Sequence, residues 1–307
     1  MARQTRKQDK FYIVSPFGVA LETLPGGTHQ ISSGLTFSPL ANEYRISIID
    51  YLDEKKEEAL SQRVRSRPAF LIDTAANEIG RTAATEDERI DAFLQVHRFA
   101  LETICNLKCP LAVFGSDGSS VIRHHIETTD LWRMADTGAN LHNDDWDKHA
   151  TFLRFLYESV PVAPLSLLSI TRLSKAFREG PTPDGIIDIA ICLECLITAS
   201  SEIKFQFALY HSLIGSDDIT SRDHDFRRLQ KLYDVRSKTV HGGQVTKGDK
   251  KKLAELVGDW DNLIALARKN ITYYLLFCRS QGPADWPDHL RALALGEARI
   301  QPEASRD

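Results

Sequence analysis

The chain is 307 residues long, 42% hydrophobic, with a formal charge of −4 and five cysteines. That length and apolar content suit about two domains with real cores, and exclude a fibrous or low-complexity protein. An odd cysteine count in a chain this long argues against a disulfide framework. No apolar run approaches the ~18 residues a membrane span needs, and the opening MARQTRKQDK lacks the apolar core of a signal peptide, so a soluble, cytoplasmic protein is expected.

Residues 1–10 are expected to be disordered. After them, FYIVSPFGVALETL and THQISSGLTFSPL have the character of short strands broken by Pro16, Gly18, Pro25 and Pro39. EYRISIIDYL reads as a third strand and DEKKEEALSQRV as a solvated helix. A firmer helix is predicted from about Thr85 to Cys105, with Ile90, Phe93, Leu94, His97 and Leu101 on one stripe. LAVFGSDGSSVIRHHIET then reads as strand, turn and strand. Residues 11–140 are thus expected to form a mixed α/β N-terminal domain of unknown role. The polar stretch 134–150 reads as a linker; its His142, Asp144, Asp145, Asp147 and His149 have the chemistry of metal ligands but no regular coordination spacing.

From about 150 to 280 the pattern is almost entirely helical, so the fold class is α+β, with an all-α bundle following the mixed domain. A short helix Thr151 to Ser159 and a second from Pro164 to Glu179 precede Gly185 to Thr198, whose IIDIAICLECLI is apolar nearly all round and marks the central buried helix. Glu194 is the exception within it, and a carboxylate there wants an Arg from a facing helix. Cys192 and Cys195 form a CxxC, but no second ligand pair with zinc spacing accompanies it. Ser201 to Ile214 gives another helix. Thr246 with Asp249 three residues on forms a capping box that opens one long helix of about 25 residues, about 38 Å at ~1.5 Å per residue. A tail, 281–307, holds one short helix after Pro287.

The functional signal lies in DHDFRRLQKLYDVRSKTVHGG, residues 223–243. Phe226, Leu229, Leu232, Tyr233 and Val240 recur at helical spacing, with Arg236 on the same face and His241 five residues later, just before Gly242 and Gly243. Charge is also concentrated here. From Arg222 to Lys252 ten Lys/Arg stand against four Asp, a local +6, which leaves −10 for the rest of the chain.

RLSKAF, IIDIAICLECLI with its Glu, SEIKFQFALYHSLI and LYDVRSKTVHGG, in this order, together resemble the ApeA-like branch of the HEPN superfamily over roughly residues 165 to 278. The resemblance implies a compact helical bundle with metal-independent endoribonuclease activity, no cofactor, a homodimeric state, and a place in prokaryotic anti-phage defence or toxin systems, under a regulatory or phage-derived trigger. It maps the family's Arg and His onto Arg236 and His241 as catalytic residues and its acidic position onto Glu194; Ser237 stands where many members have Asn.

The residue chemistry fits that implication. Histidine exchanges protons near neutrality, and arginine grips two phosphate oxygens while staying charged. On one continuous helix positions five apart differ by about 140°, so Arg236 and His241 converge only if the helix ends near Thr239 or if two copies build a shared groove. Lys238, Arg227 and Arg228 are candidates for phosphate contact, and Tyr233 for core packing or base stacking, with RNA, tRNA included, as partner. Two other functions compete: a non-catalytic helical module that binds RNA, a nucleotide or a protein, and a nucleotidyltransferase built on Gly215-Ser216 and Asp223-His224-Asp225, whose spacing and helical context fit poorly.

Overall fold

A computed structural model describes residues 11–16, 20–21, 29–32, 35–39, 48–51, 53–55, 68–73, 79, 85–105, 111–116, 121–126, 140–141, 143–197, 202–216, 218–240 and 246–298. The chain divides into two compact units, Met1–Pro161 and Val162–Asp307.

In the first unit β1 (Phe11–Pro16), β3 (His29–Ser32), β4 (Leu35–Pro39), β5 (Pro68–Asp73), β6 (Leu111–Ser116) and β7 (Val121–Ile126) pair in the order β3-β4-β5-β1-β6-β7. Every neighbour in this sheet is antiparallel. A separate two-residue parallel pair joins β2 (Ala20–Leu21) to β8 (Asn140–Leu141). Residues 48–51, predicted as strand, are helical, with Ile48 buried. An apolar run this short has no periodicity strong enough to separate the two forms.

Helix α1 (Glu86–Cys105) is capped by Thr85, whose hydroxyl accepts from Glu88 N while the Glu88 carboxylate accepts from Thr85 N. Helix α2 (Asn143–Ser159) starts inside the stretch expected to be a linker. Its polar first turns misled the pattern; Phe152, Leu153, Phe155 and Leu156 in the later turns are what anchor it. The two helices meet through Phe99 and Phe152, with ring centroids 5.9 Å apart, and through His97 Nε2 and the Tyr157 hydroxyl at 2.8 Å. His142 and the side chains of Asp144 and Asp145 lie outside the described residues. His149 is fully buried rather than solvated, and among the described residues no cluster of three metal-ligating side chains forms.

The second unit is helical throughout its described residues: α3 (Ser166–Glu179), α4 (Pro183–Glu194), α5 (Ile203–Gly215), α6 (Ile219–Val240), α7 (Lys247–Gly258), α8 (Trp260–Gln281) and α9 (Trp286–Leu295). None of the described helices is long and apolar enough to cross a membrane. Helix α4 starts where Thr182 accepts from Gly185 N and Pro183 supplies the preset φ of a first turn. Gly185 admits no side chain, because a Cβ there would stand 2.2 Å from Gly180 O and 2.9 Å from the Trp260 ring. Helix α4 is central: Ile186, Ile189 and Leu193 are fully buried, as are Phe207 on α5, Leu229 and Leu232 on α6, and Leu263 and Ile271 on α8. Full burial of each such side chain contributes about 1.5 to 3 kcal/mol.

The predicted long C-terminal helix is two helices. The break falls at Gly258 and Asp259, both poor helix formers, and the Asp259 carboxylate is taken by Arg228 Nη1 at 2.7 Å and by Asn262 Nδ2 at 2.5 Å. Trp286 closes the far end by donating from Nε1 to Leu196 O at 2.6 Å.

Candidate functional site

Helices α4 and α6 bring Glu194 and Arg236 together. Arg236 Nη2 lies 2.5 Å from Glu194 Oε2, and the side chains are 19% and 24% exposed. Arg236 Nε is itself buried and makes no hydrogen bond to the described residues. A mostly covered guanidinium with one edge on a carboxylate is oriented, and only the part of it still open to solvent can meet a second anion. Helix α6 ends at Val240, so the helical geometry that would separate Arg236 from His241 stops one residue short of the imidazole. His241 itself, with Gly242 and Gly243, lies in the 241–245 connection, outside the described residues.

The two ends of that connection are fixed. Thr246 accepts from Asp249 N, and Asp249 Oδ2 accepts from Thr246 N, the predicted capping box. Lys238 Nζ, on the last turn of α6, reaches Asp249 Oδ1 at 2.6 Å. These donors hold the Asp249 carboxyl well below the usual carboxylate range, the Lys238 bond first among them.

The Lys238 bond is the first rung of a ladder. Going away from the connection, Asp234 Oδ2 takes Lys252 at 3.0 Å, Lys231 reaches Glu255 at 2.7 Å, and Arg228 reaches Asp259 at 2.7 Å. Lys204 of α5 adds to Asp234 at 2.7 Å. Arg228 is the deepest of these cations, 10% exposed, and is also held at 2.5 Å by Asp225, which in turn accepts from the Ser216 hydroxyl.

This geometry redistributes the candidate residues. Arg228 is committed to two carboxylates inside the bundle and is not placed to meet a phosphate. Arg227 is exposed and paired with Asp223 one turn earlier at 3.1 Å; Lys238 is half-exposed but occupied by Asp249. Tyr233 packs on Phe207 with centroids 5.4 Å apart, a core contact. Asp225, the acidic residue a nucleotidyltransferase would need open, is buried and paired.

A second polar group shares the neighbourhood. Asp188, also in the apolar run of α4, is 2% exposed and more deeply set than Glu194; Arg172 and Lys175 of α3 hold it at 3.1 and 3.0 Å. The pattern singled out Glu194 alone, although Asp188 stands in the same run with RLSK one helix earlier as its signal. Cys195 lies between Arg172 and Arg236, but burial pushes its thiol up despite both cations. Cys192 is fully buried with its thiol pushed up to about 12, beside the Ser169 hydroxyl at 3.2 Å. Burial disfavours the reactive thiolate form at both positions.

Compared with models of known families, with curated proteins and with solved structures, the chain matches none.

Proposed function

We propose that the chain is a HEPN-type, metal-independent endoribonuclease, with Arg236 and His241 as its catalytic residues and Glu194 as the group that orients Arg236. The observation that carries this is the position of Arg236: anchored on one edge by Glu194, partly exposed, one turn before the helix end that leads into His241. In the reaction a base takes the proton of a 2′-OH, the 2′-oxygen bonds to the adjacent phosphorus, and the bond to the 5′-oxygen breaks as that oxygen gains a proton. The products are a 2′,3′-cyclic phosphate and a 5′-hydroxyl. His241 serves one of the proton transfers, and Arg236 stabilises the charge that builds on the phosphoryl oxygens. The same resemblance places two copies about a two-fold axis, each contributing its pair to one groove, and sets the enzyme in anti-phage defence or a toxin system.

The test is cleavage of single-stranded RNA or tRNA by purified protein in EDTA. Wild type cuts, and His241→Ala and Arg236→Ala lose cutting while keeping the helical circular dichroism. Cutting that survives both substitutions places the chemistry elsewhere.

One observation favours a second function. A 2.5 Å Arg236 to Glu194 pair is also what a simple clamp between α4 and α6 requires. A non-catalytic helical module would keep that clamp and the cationic surface and bind RNA without cutting it.

A further inference from the structure

The cations of the 222–252 window are unequal. Arg227, Arg228, Lys231, Arg236, Lys238 and Lys252 each close on a carboxylate. Lys247, Lys250 and Lys251 are exposed, and among the described residues none of them makes an ion pair, although Lys251 is near enough to Glu255, one turn on, to help lower its carboxyl. At positions i, i+3 and i+4 of α7 they fall within about 100° of one another and share one face. Local helix energetics disfavours them there. The first turn of a helix favours anions, so three lysines in the first five residues of α7 cost the helix stability, and each repels the other two. That face also begins directly after the connection bearing His241, because Thr246 is the residue that caps α7.

We propose that the solvent-facing side of α7 formed by Lys247, Lys250 and Lys251, on the helix that follows the connection bearing His241, is the surface on which the RNA backbone docks. This rests on the ribonuclease reading and assigns the phosphate contacts to lysines the sequence pattern did not separate from their paired neighbours. A polyanion is the occupant by charge: the chain as a whole is −4, and an acidic strand is drawn to a face whose three cations make no ion pair among the described residues.

The experiment uses the full chain and a fluorescein-labelled 2′-O-methyl RNA, which keeps every phosphate but has no 2′-OH to attack, so binding is read apart from cutting. Anisotropy titrations across a salt series compare wild type with two variants of identical net charge, K247Q/K250Q/K251Q and K204Q/K231Q/K252Q, the second removing paired cations. Each phosphate contact to a single strand contributes about 0.7 to the slope of log affinity against log salt, so the first variant lowers the slope by about 2 and weakens binding about a hundredfold at 0.1 M salt. The second shifts affinity less than about threefold, the size expected of screened charges already neutralised by partners. Equal losses in the two variants, or a slope unchanged in the first, overturn the docking face and leave the nuclease proposal standing. Binding that follows the expected pattern in a protein that never cuts natural RNA overturns the nuclease and keeps the face. No binding by wild type at low salt overturns both.

Discussion

Arg236 and Glu194 form a 2.5 Å ion pair between α6 and α4, and neither side chain is fully shielded from solvent. A carboxylate that only clamps two helices and one that orients a catalytic guanidinium differ in what its removal does. Glu194→Gln keeps a hydrogen-bond acceptor but gives up the charge, so the helices stay packed while the guanidinium is held less firmly. The expected result is a fall of about ten- to a hundredfold in RNA cutting with a small loss of stability, about 1 to 3 kcal/mol. Cleavage gels alongside urea denaturation decide it. A stability loss with undiminished cutting leaves Glu194 as a clamp.

Arg228 gives the opposite outcome. It is nearly covered and joins Asp225 to Asp259, so Arg228→Ala leaves two carboxylates facing each other inside the bundle. The cost is about 3 to 5 kcal/mol, and R228A/D259A recovers part of it. Affinity for 2′-O-methyl RNA, measured on the folded fraction at low temperature, stays within about twofold of wild type. A large loss of binding at unchanged stability would return Arg228 to the surface role that its place in a basic run suggested.

His211 supplies a pH dependence. It is 1% exposed, its Nδ1 lies 2.7 Å from Asn270 Oδ1, and burial holds its pKa down to about 4 against 6.5 in the unfolded chain. Between those values the unfolded state takes up a proton that the folded state refuses. Stability is therefore complete above about pH 6.5 and declines as pH falls toward 4, by up to about 3 kcal/mol from this residue. In urea titrations from pH 7 to 4.5, His211→Gln flattens that decline relative to wild type. Parallel pH profiles for the two proteins would show that the imidazole is not the titrating group. His97 and His149, lowered to about 3 and about 4 by burial, add the same sign of dependence in the N-terminal unit.

Thr246→Ala removes the hydroxyl that accepts from Asp249 N and costs about 1 kcal/mol. Because the same box anchors the end of the connection carrying His241, RNA cutting falls more than thermal stability does, and Thr246→Ser restores both. Equal, small effects on the two readouts would make the cap purely structural.

Local signals in the sequence were the legible ones. The capping box at Thr246, the helix beginning near Thr85 and the apolar stripe through Leu229 and Leu232 each depend on residues within a turn or two of one another, whereas α4 starts at Pro183, two residues before the expected Gly185. What escaped depends on distant partners. The helix break at Gly258 and Asp259 is fixed by Arg228, thirty-one positions away, and the polar start of α2 belongs to a helix because of apolar residues farther along it. The basic window read as one cationic surface because sequence shows charges without their neighbours; three-dimensional pairing leaves Lys247, Lys250 and Lys251 exposed and without an ion pair among the described residues. Arg236 with Glu194 was foreseen, since an isolated guanidinium and an isolated carboxylate in apolar helices have few other solutions.

The four rungs between α6 and α7 do not all have the same polarity. Along α6 from the connection the signs run positive, negative, positive, positive, and α7 presents the complement. Sliding one helix past the other by a turn in one direction sets Lys238 against Lys252 and Asp234 against Glu255. Sliding it the other way sets Asp234 against Asp249 and Lys231 against Lys252. Either slip turns the four attractions into two repulsions, one attraction and one lost rung, so the single reversed rung at Asp234 works as a vernier: it fixes how far each helix extends beyond the other, and with it the span that the five residues 241–245 must bridge.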